Sequence, residues 1–217
     1  MRHFVFLLCV LPVSAESLRY SINWASGLSL GEATVRSDKA KDAWNFEVSM
    51  DASVPGFVLR DDYRSSANAD LCSSELDKTF THGPRKTDEK VTFDQKNHTA
   101  ARETQNGGGK TDLPVGDCAK DALTFLQFAR FELSQGRLPP QQAVVFGAAY
   151  QVRLVYTGAQ RIRYGDQTAD ADRVLASIKG PVTDLTVEIF FARDAARTPL
   201  LARIPLALGS FTVELIR

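Results

Sequence analysis

The chain has 217 residues, a length that suits one domain or at most two small ones. Hydrophobic residues make up 44% and charged residues 24%, which is typical of a soluble globular protein. Because 26 basic residues balance 26 acidic ones, the composition argues against a nucleic-acid-binding protein, which usually carries a basic excess. Three histidines and three cysteines supply little material for a metal centre, and we expect neither a metal nor a cofactor.

Residues 1–15 have the features of a signal peptide. A short positive start precedes an apolar run over 4–13, and residues 13–15 (Val-Ser-Ala) are the small residues that signal peptidase prefers. The run of about ten residues is too short to span a hydrocarbon core of ~30 Å. We therefore predict cleavage after Ala15, a mature chain that begins at Glu16, and a periplasmic or secreted protein without a transmembrane span.

Apolar residues alternate with polar ones along most of the mature chain, which predicts β-strands with one buried face. Between 62 and 93 the alternation is weak and the composition polar, as in strands with one strongly solvated face. The segment 106–109 (Asn-Gly-Gly-Gly) predicts a turn. The clearest alternating sets are 18–24, 28–35, 44–50, 150–156, 160–164, 173–178, 185–191, 204–208 and 211–215.

Export changes the interpretation of the cysteines. Cys72 and Cys118 are the two that remain in the mature chain, and an oxidising compartment favours a disulfide between them. A bridge that closes a loop of this length contributes about 4 kcal/mol in the chain-entropy model. The alternative is two free thiols. Because the sequence has no C-x-x-C redox motif, the predicted bridge is structural.

The periodicity becomes helical between Asp117 and Gly136. We predict one substantial helix around Ala119 to Ser134, with Asp117 as the N-cap and Gly136 at the C′ position. The residues that share its apolar face are Ala122, Phe125, Leu126, Ala129 and Leu133.

Phe128 and Phe131 lie outside that apolar face and are three residues apart, so they are neighbours on another side of the helix. Either a loop covers both rings, or the helix lies in the mouth of a curved sheet, or it presents the rings to a partner. The two phenylalanines are therefore candidate contacts for a ligand or partner.

The near-hairpin spacing of the strands predicts a mainly β protein with a single domain over 16–217. We expect a single antiparallel, strongly curved sheet of roughly ten to twelve strands, which forms a barrel or half-open barrel with one substantial helix.

Catalytic motifs are absent from the sequence. His82 and His98 have no metal-ligand spacing and are expected on the surface, and no nucleophile motif accompanies them. The aspartate pairs at 61–62 and 170–172 fall in polar, turn-like stretches, where aspartate is favoured by local backbone hydrogen bonds. We therefore expect a protein that is not an enzyme.

Short motifs along the mature chain resemble those of the bacterial exported proteins grouped as domain of unknown function 3108. The resemblance implies a mainly antiparallel β fold in the cell envelope, with no established activity and no catalytic residues. The motifs are Tyr20-Ser21-Ile22-Asn23-Trp24, Gly31-Glu32-Ala33, Asp62-Tyr63-Arg64-Ser65, Arg85-Lys86 before Val91-Thr92-Phe93-Asp94, Asp121-Ala122-Leu123 with Gly136, and Asp194, Arg197, Pro199, Gly209 and Leu215.

Three functions remain open at this point. An envelope protein could bind a lipid or other apolar or amphipathic ligand, because a curved sheet can enclose a cavity whose mouth Phe128 and Phe131 would line. A scaffold could use the same rings as an exposed anchor for another envelope protein. An uncharacterised hydrolase is the weakest alternative, because no nucleophile motif is present. We favour a non-catalytic envelope protein.

Overall fold

The structure is a computed structural model that describes residues 14–54, 57–105, 108–181, 184–206 and 209–216. The predicted signal peptide lies outside the described residues up to position 13, whereas Ser14 and Ala15 begin the first strand. Positions 106 and 107 of the predicted turn also lie outside them.

The described residues form fifteen strands and one helix of 13 residues. None of the described helical residues forms a helix long and apolar enough to cross a membrane. The elements are β1 (Ser14–Trp24), β2 (Ser29–Ala40), β3 (Ala43–Val54), β4 (Phe57–Asn68), β5 (Ser73–His82), β6 (Arg85–Asp94), β7 (Thr99–Thr104), β8 (Gly109–Pro114), β9 (Lys120–Asp121), α1 (Ala122–Ser134), β10 (Gln142–Val145), β11 (Ala149–Tyr164), β12 (Gln167–Lys179), β13 (Asp184–Ala192), β14 (Pro199–Leu206) and β15 (Gly209–Ile216).

All these strands belong to one sheet in the order β8-β7-β6-β5-β4-β3-β2-β1-β15-β14-β13-β12-β11-β10-β9. The prediction of a mainly β protein with one helix is confirmed. The predicted count of roughly ten to twelve strands and the purely antiparallel sheet are wrong: the sheet has 15 strands, β9 pairs with β10 in parallel, and it is not closed. The short strands β7 to β10 escaped prediction because they have too few residues to show a periodicity.

The sheet curls around α1, which contacts strands from both halves of the strand order. On one side the helix packs against β10 to β14 in the main core cluster, and on the other Leu123 and Phe128 pack against β3 and β4. The two sheet ends also meet through side chains, since Val145 of β10 packs with Leu76 and Val91 of β5 and β6. The result is a half-open barrel with the helix inside its curve.

A β-bulge in β11 reverses the faces of that strand. Tyr156 pairs with Val174 and Gly158 pairs with Arg173, which leaves Thr157 between them unpaired. Because side chains alternate, one extra residue transfers the following ones to the opposite face of the sheet. Ile162 therefore packs on the outer face, in a second core cluster with Tyr164, Phe190, Leu200 and Leu201.

The N-cap of the helix is Asp121 and not, as predicted, Asp117. Asp121 has extended backbone dihedral angles, and its side chain accepts hydrogen bonds from the backbone of Leu123 and Thr124. The chain is still a strand at 120–121, so a helix cannot start earlier. At the other end Gly136 has a φ of +74° and occupies the predicted C′ position.

The carboxylate of Asp121 also binds side chains from two strands. Its Oδ2 atom accepts hydrogen bonds from the hydroxyls of Ser65 in β4 and Ser73 in β5, both at 2.6 Å, and from Thr124 at 2.9 Å. The group is fully buried. The helix N-terminus is thus fixed to the opposite half of the sheet.

A disulfide joins Cys72 to Cys118 beside this carboxylate, with their Cα atoms 4.5 Å apart. Next to it the backbone N–H of Ser73 donates to the carbonyl of Ala119 at 2.9 Å. The side-chain amide of Gln95 donates hydrogen bonds to the carbonyls of Ser73 and Ala119, and its oxygen accepts one from the N–H of Ala119. The disulfide fits an extracellular or periplasmic protein.

We expect Asp121→Ala to lower the free energy of unfolding by about 3 kcal/mol or more, because it removes the cap and leaves three hydroxyls without their acceptor. Asp117→Ala is the matched control, since that side chain is 96% exposed and lies four residues earlier. Urea unfolding followed by circular dichroism measures both. Equal effects of the two substitutions would contradict the assignment of the N-cap.

Candidate functional site

A cavity of about 360 Å³ lies between α1 and the strands β10 to β13. The helix lines it with Ala122, Phe125, Leu126 and Ala129, and the sheet adds mainly aliphatic side chains and Phe191. Among the described residues the hydroxyl of Tyr150 is the only polar side-chain group in the lining. We call this space the apolar cavity.

Some of the residues that line the apolar cavity are small. Ala129 on the helix and Ala176 on β12 are both buried in the main core cluster, yet their side chains are too short to fill the space between helix and sheet. Protein interiors ordinarily have few voids larger than a water molecule. A space lined by apolar groups does not hold water well but accepts hydrocarbon.

Phe146 separates the apolar cavity from a group of polar side chains. Its ring lines the cavity, and it also lies 5.3 Å from the ring of Tyr63 and 4.4 Å from the ammonium of Lys78. We call the polar side chains beyond Phe146 the polar cluster, which comprises Asp61, Tyr63, Lys78, Glu89 and Arg102.

The centre of the polar cluster is the buried carboxylate of Glu89, whose side chain is 2% exposed. It lies 2.6 Å from the Lys78 ammonium and accepts a hydrogen bond of 2.6 Å from Nε of Arg102, whose Nη2 atom also lies 2.6 Å from it. Gly147 covers the pair: a Cβ atom there would lie 2.8 Å from Lys78 Nζ and from Glu89 Oε1. One carboxylate thus stands between two cations, directly behind Phe146.

Asp61 holds the other part of the polar cluster. Its carboxylate accepts a hydrogen bond from the Tyr63 hydroxyl at 2.7 Å and lies 2.9 Å from His82 Nε2. Burial raises the pKa of Tyr63 well above its usual range, and the hydrogen bond to Asp61 adds to the effect. The phenol therefore stays protonated and remains a donor to Asp61.

The aspartate pairs of the sequence lie in strands, not in turns as predicted. Asp61 is buried in the middle of β4, and Asp62 faces the other side of the sheet because strand neighbours alternate. Asp172 is buried in β12, where it binds Arg197 at 2.6 Å, while Asp170 is exposed. Asp61 and Asp62 therefore point to opposite faces of the sheet, whereas Asp170 and Asp172 share a face but differ in burial, and the carboxylate of Asp172 is held by Arg197.

The histidines differ in their surroundings. His82 is half-exposed and bound to Asp61, so it is not the plain surface histidine that was expected. His98 is exposed, with its Nδ1 atom 3.3 Å from Asp117.

Phe128 and Phe131 do not line the apolar cavity. Phe128 packs against the β3 and β4 side of the core, with the Lys120 ammonium 4.6 Å from its ring. Phe131 is 52% exposed and borders a separate cavity of about 320 Å³ beside Trp44 and Arg130. Their role as contacts stays a prediction. Sequence reasoning missed the cavity-lining face of the helix, because an apolar face has the same pattern whether it is packed or faces a void.

The sequence model of a family described as "Protein of unknown function (DUF3108)" matches residues 19–216. No curated protein sequence matches the chain. A crystal structure from Brucella abortus, titled as a β-barrel-like protein of domain of unknown function DUF1849, is similar with a TM-score of 0.69 and 9% identity. The match covers 94% of this chain and 96% of that one, and it shows a common barrel-like fold.

We expect Glu89→Gln to lower the free energy of unfolding by about 3–5 kcal/mol, because it leaves Lys78 and Arg102 without their buried anion. Glu75→Gln is the control: Glu75 lies on β5 and binds Lys90 at 2.7 Å, but both side chains are partly exposed, at 39% and 43%. Such exposed pairs contribute little. Urea unfolding compares the two variants, and a small effect of Glu89→Gln would show that the polar cluster is solvated.

Proposed function

The chain belongs to the DUF3108 family, and we propose that it is a non-catalytic cell-envelope protein that binds an apolar or amphipathic ligand in the apolar cavity. The observation that carries the proposal is the cavity of about 360 Å³ between α1 and β10–β13, with its almost wholly apolar lining.

The size and lining of the cavity support this function. Ligand pockets in proteins have volumes of about 300–1,000 Å³ and are lined mainly by apolar and aromatic side chains. The cavity opens to solvent, since Leu126, Tyr150 and Ile178 in its lining are only partly buried. A hydrocarbon chain in the cavity would remove this apolar surface from water without leaving a polar group unpaired.

The disulfide between Cys72 and Cys118 supports a location outside the cytoplasm. The predicted cleavage after Ala15 is compatible with the fold, because the carboxylate of Glu16, the first residue that would remain, accepts hydrogen bonds of 2.6 and 2.8 Å from Arg130 on α1.

A second candidate function is a scaffold for another envelope protein. The exposed ring of Phe131 favours it, since aromatic side chains are enriched at the centres of protein interfaces. The two functions predict different bound species in the protein purified from its host: an apolar or amphipathic ligand for the first, and a partner protein for the second.

Native mass spectrometry of the protein purified from its own host tests the ligand. We expect a bound species of discrete mass that organic extraction removes and that lipid analysis identifies as an apolar or amphipathic molecule. A bare protein, together with loss of a co-purifying protein in Phe131→Ala, would support the scaffold instead.

A substitution that fills the cavity tests the site. We expect Ala176→Leu to weaken the binding of dansyl-undecanoic acid about tenfold or more, because the larger side chain occupies the space that the acyl chain needs. Ser177→Leu is the matched control, since it lies one residue further along β12 and faces away from the cavity. Fluorescence titration measures both, with thermal unfolding as the check on folding. Unchanged affinity in Ala176→Leu would show that the acid binds elsewhere.

A further inference from the structure

Lys120 is a buried cation beside the disulfide. The residue is 4% exposed, and its ammonium donates hydrogen bonds to the carbonyl oxygen of Cys118 at 2.9 Å and to the sulfur of Cys118 at 3.1 Å. The ring of Phe128 lies 4.6 Å from the same ammonium. Within the described ranges no carboxylate oxygen comes within 4.0 Å of it.

The missing anion needs an explanation, because buried charges in proteins are ordinarily paired. A disulfide sulfur is neutral and a weak acceptor, so it compensates an ammonium poorly. Burial lowers the pKa of Lys120, and the negative charge of Asp70 opposes this only through a longer-range attraction. A thiolate at Cys118 would supply a full negative charge at the position that the ammonium already contacts.

We propose that the Cys72–Cys118 disulfide is a site of thiol–disulfide exchange, in which Cys118 is the leaving sulfur and Lys120 stabilises its thiolate. This inference does not depend on the proposed ligand. The co-reactant is a dithiol, either a small molecule or a dithiol oxidoreductase.

The exchange proceeds in two balanced steps. A thiolate of the dithiol bonds to the sulfur of Cys72, the S–S bond breaks, and its electron pair goes to Cys118, which becomes a thiolate beside the Lys120 ammonium. The second thiolate of the dithiol then attacks the first sulfur of the dithiol in the mixed disulfide, forms an S–S bond within the dithiol, and releases Cys72 as a thiolate. The dithiol is oxidised by two electrons and the protein disulfide is reduced.

The direction of attack follows from the leaving group. A sulfur leaves faster when its thiol has a lower pKa, and a neighbouring cation lowers that pKa. Only Cys118 has such a cation in contact with its sulfur, among the described residues. Both cysteines are partly exposed, as a disulfide that reacts with an external dithiol requires.

The intact, oxidised protein provides the first test. We measure the rate of disulfide reduction by dithiothreitol at pH 7 in the wild type, in Lys120→Met and in Lys110→Met. Lys110 is the control because it is exposed on β8. We expect Lys120→Met to be reduced about fivefold more slowly, and Lys110→Met at the wild-type rate. A merely structural lysine would have the opposite effect, because its loss would loosen the segment and speed reduction.

The second test measures the thiol itself. In Cys72→Ala, where Cys118 is the free thiol, the rate of alkylation by iodoacetamide is measured as a function of pH. The same measurement in Cys118→Ala gives the pKa of Cys72 for comparison. We expect the pKa of Cys118 to lie at least about one unit below the ordinary value of about 8.5, and to return to it in Cys72→Ala/Lys120→Met. An ordinary pKa that does not respond to Lys120, or reduction of Lys120→Met as fast as the wild type, would overturn the proposal.

Discussion

The buried carboxylate of Asp121 is the interaction on which the arrangement of helix and sheet depends. It ends β9, caps α1 and accepts hydrogen bonds from Ser65 and Ser73 on the far half of the sheet. One oxygen of this carboxylate accepts the backbone N–H groups that the helix start would otherwise leave unpaired, and the other oxygen joins the helix to β4 and β5. Because α1 forms one wall of the apolar cavity, this polar contact acts together with the apolar packing of the helix to position that wall.

Polar and apolar chemistry lie close together on the inner side of the sheet, and Phe146 is the boundary between them. The apolar cavity lies on one side of the Phe146 ring, and the two cations that contact Glu89 lie on the other. Gly147 lets the chain approach that ion pair closely enough to cover it. For a molecule bound in the apolar cavity, only the ring of Phe146 would therefore separate the apolar chain from the charged side chains of the polar cluster.

The alternation of residues 18–24, 44–50 and 150–156 predicted strands, and the structure has β1, β3 and β11 there. The helix was predicted from its period, but not its N-cap, because Asp117 and Asp121 are one helical turn apart and either fits the preference for aspartate. What decides between them is the pairing of 120–121 with 144–145, a contact distant in sequence. The cavity and the polar cluster depend on such contacts too, so neither could be predicted.

The bulge at Thr157 has a consequence for how the length of β11 can vary. Beyond it the hairpin covers the outer side of β13, so that Phe190 and Phe191 are both buried although they face opposite ways. The two halves of β11 thus pack in different core clusters, and the single unpaired residue gives each half the side-chain orientation that its cluster needs. An insertion of two residues in the second half keeps those orientations, whereas the gain or loss of one residue would turn Ile162 and Tyr164 toward solvent.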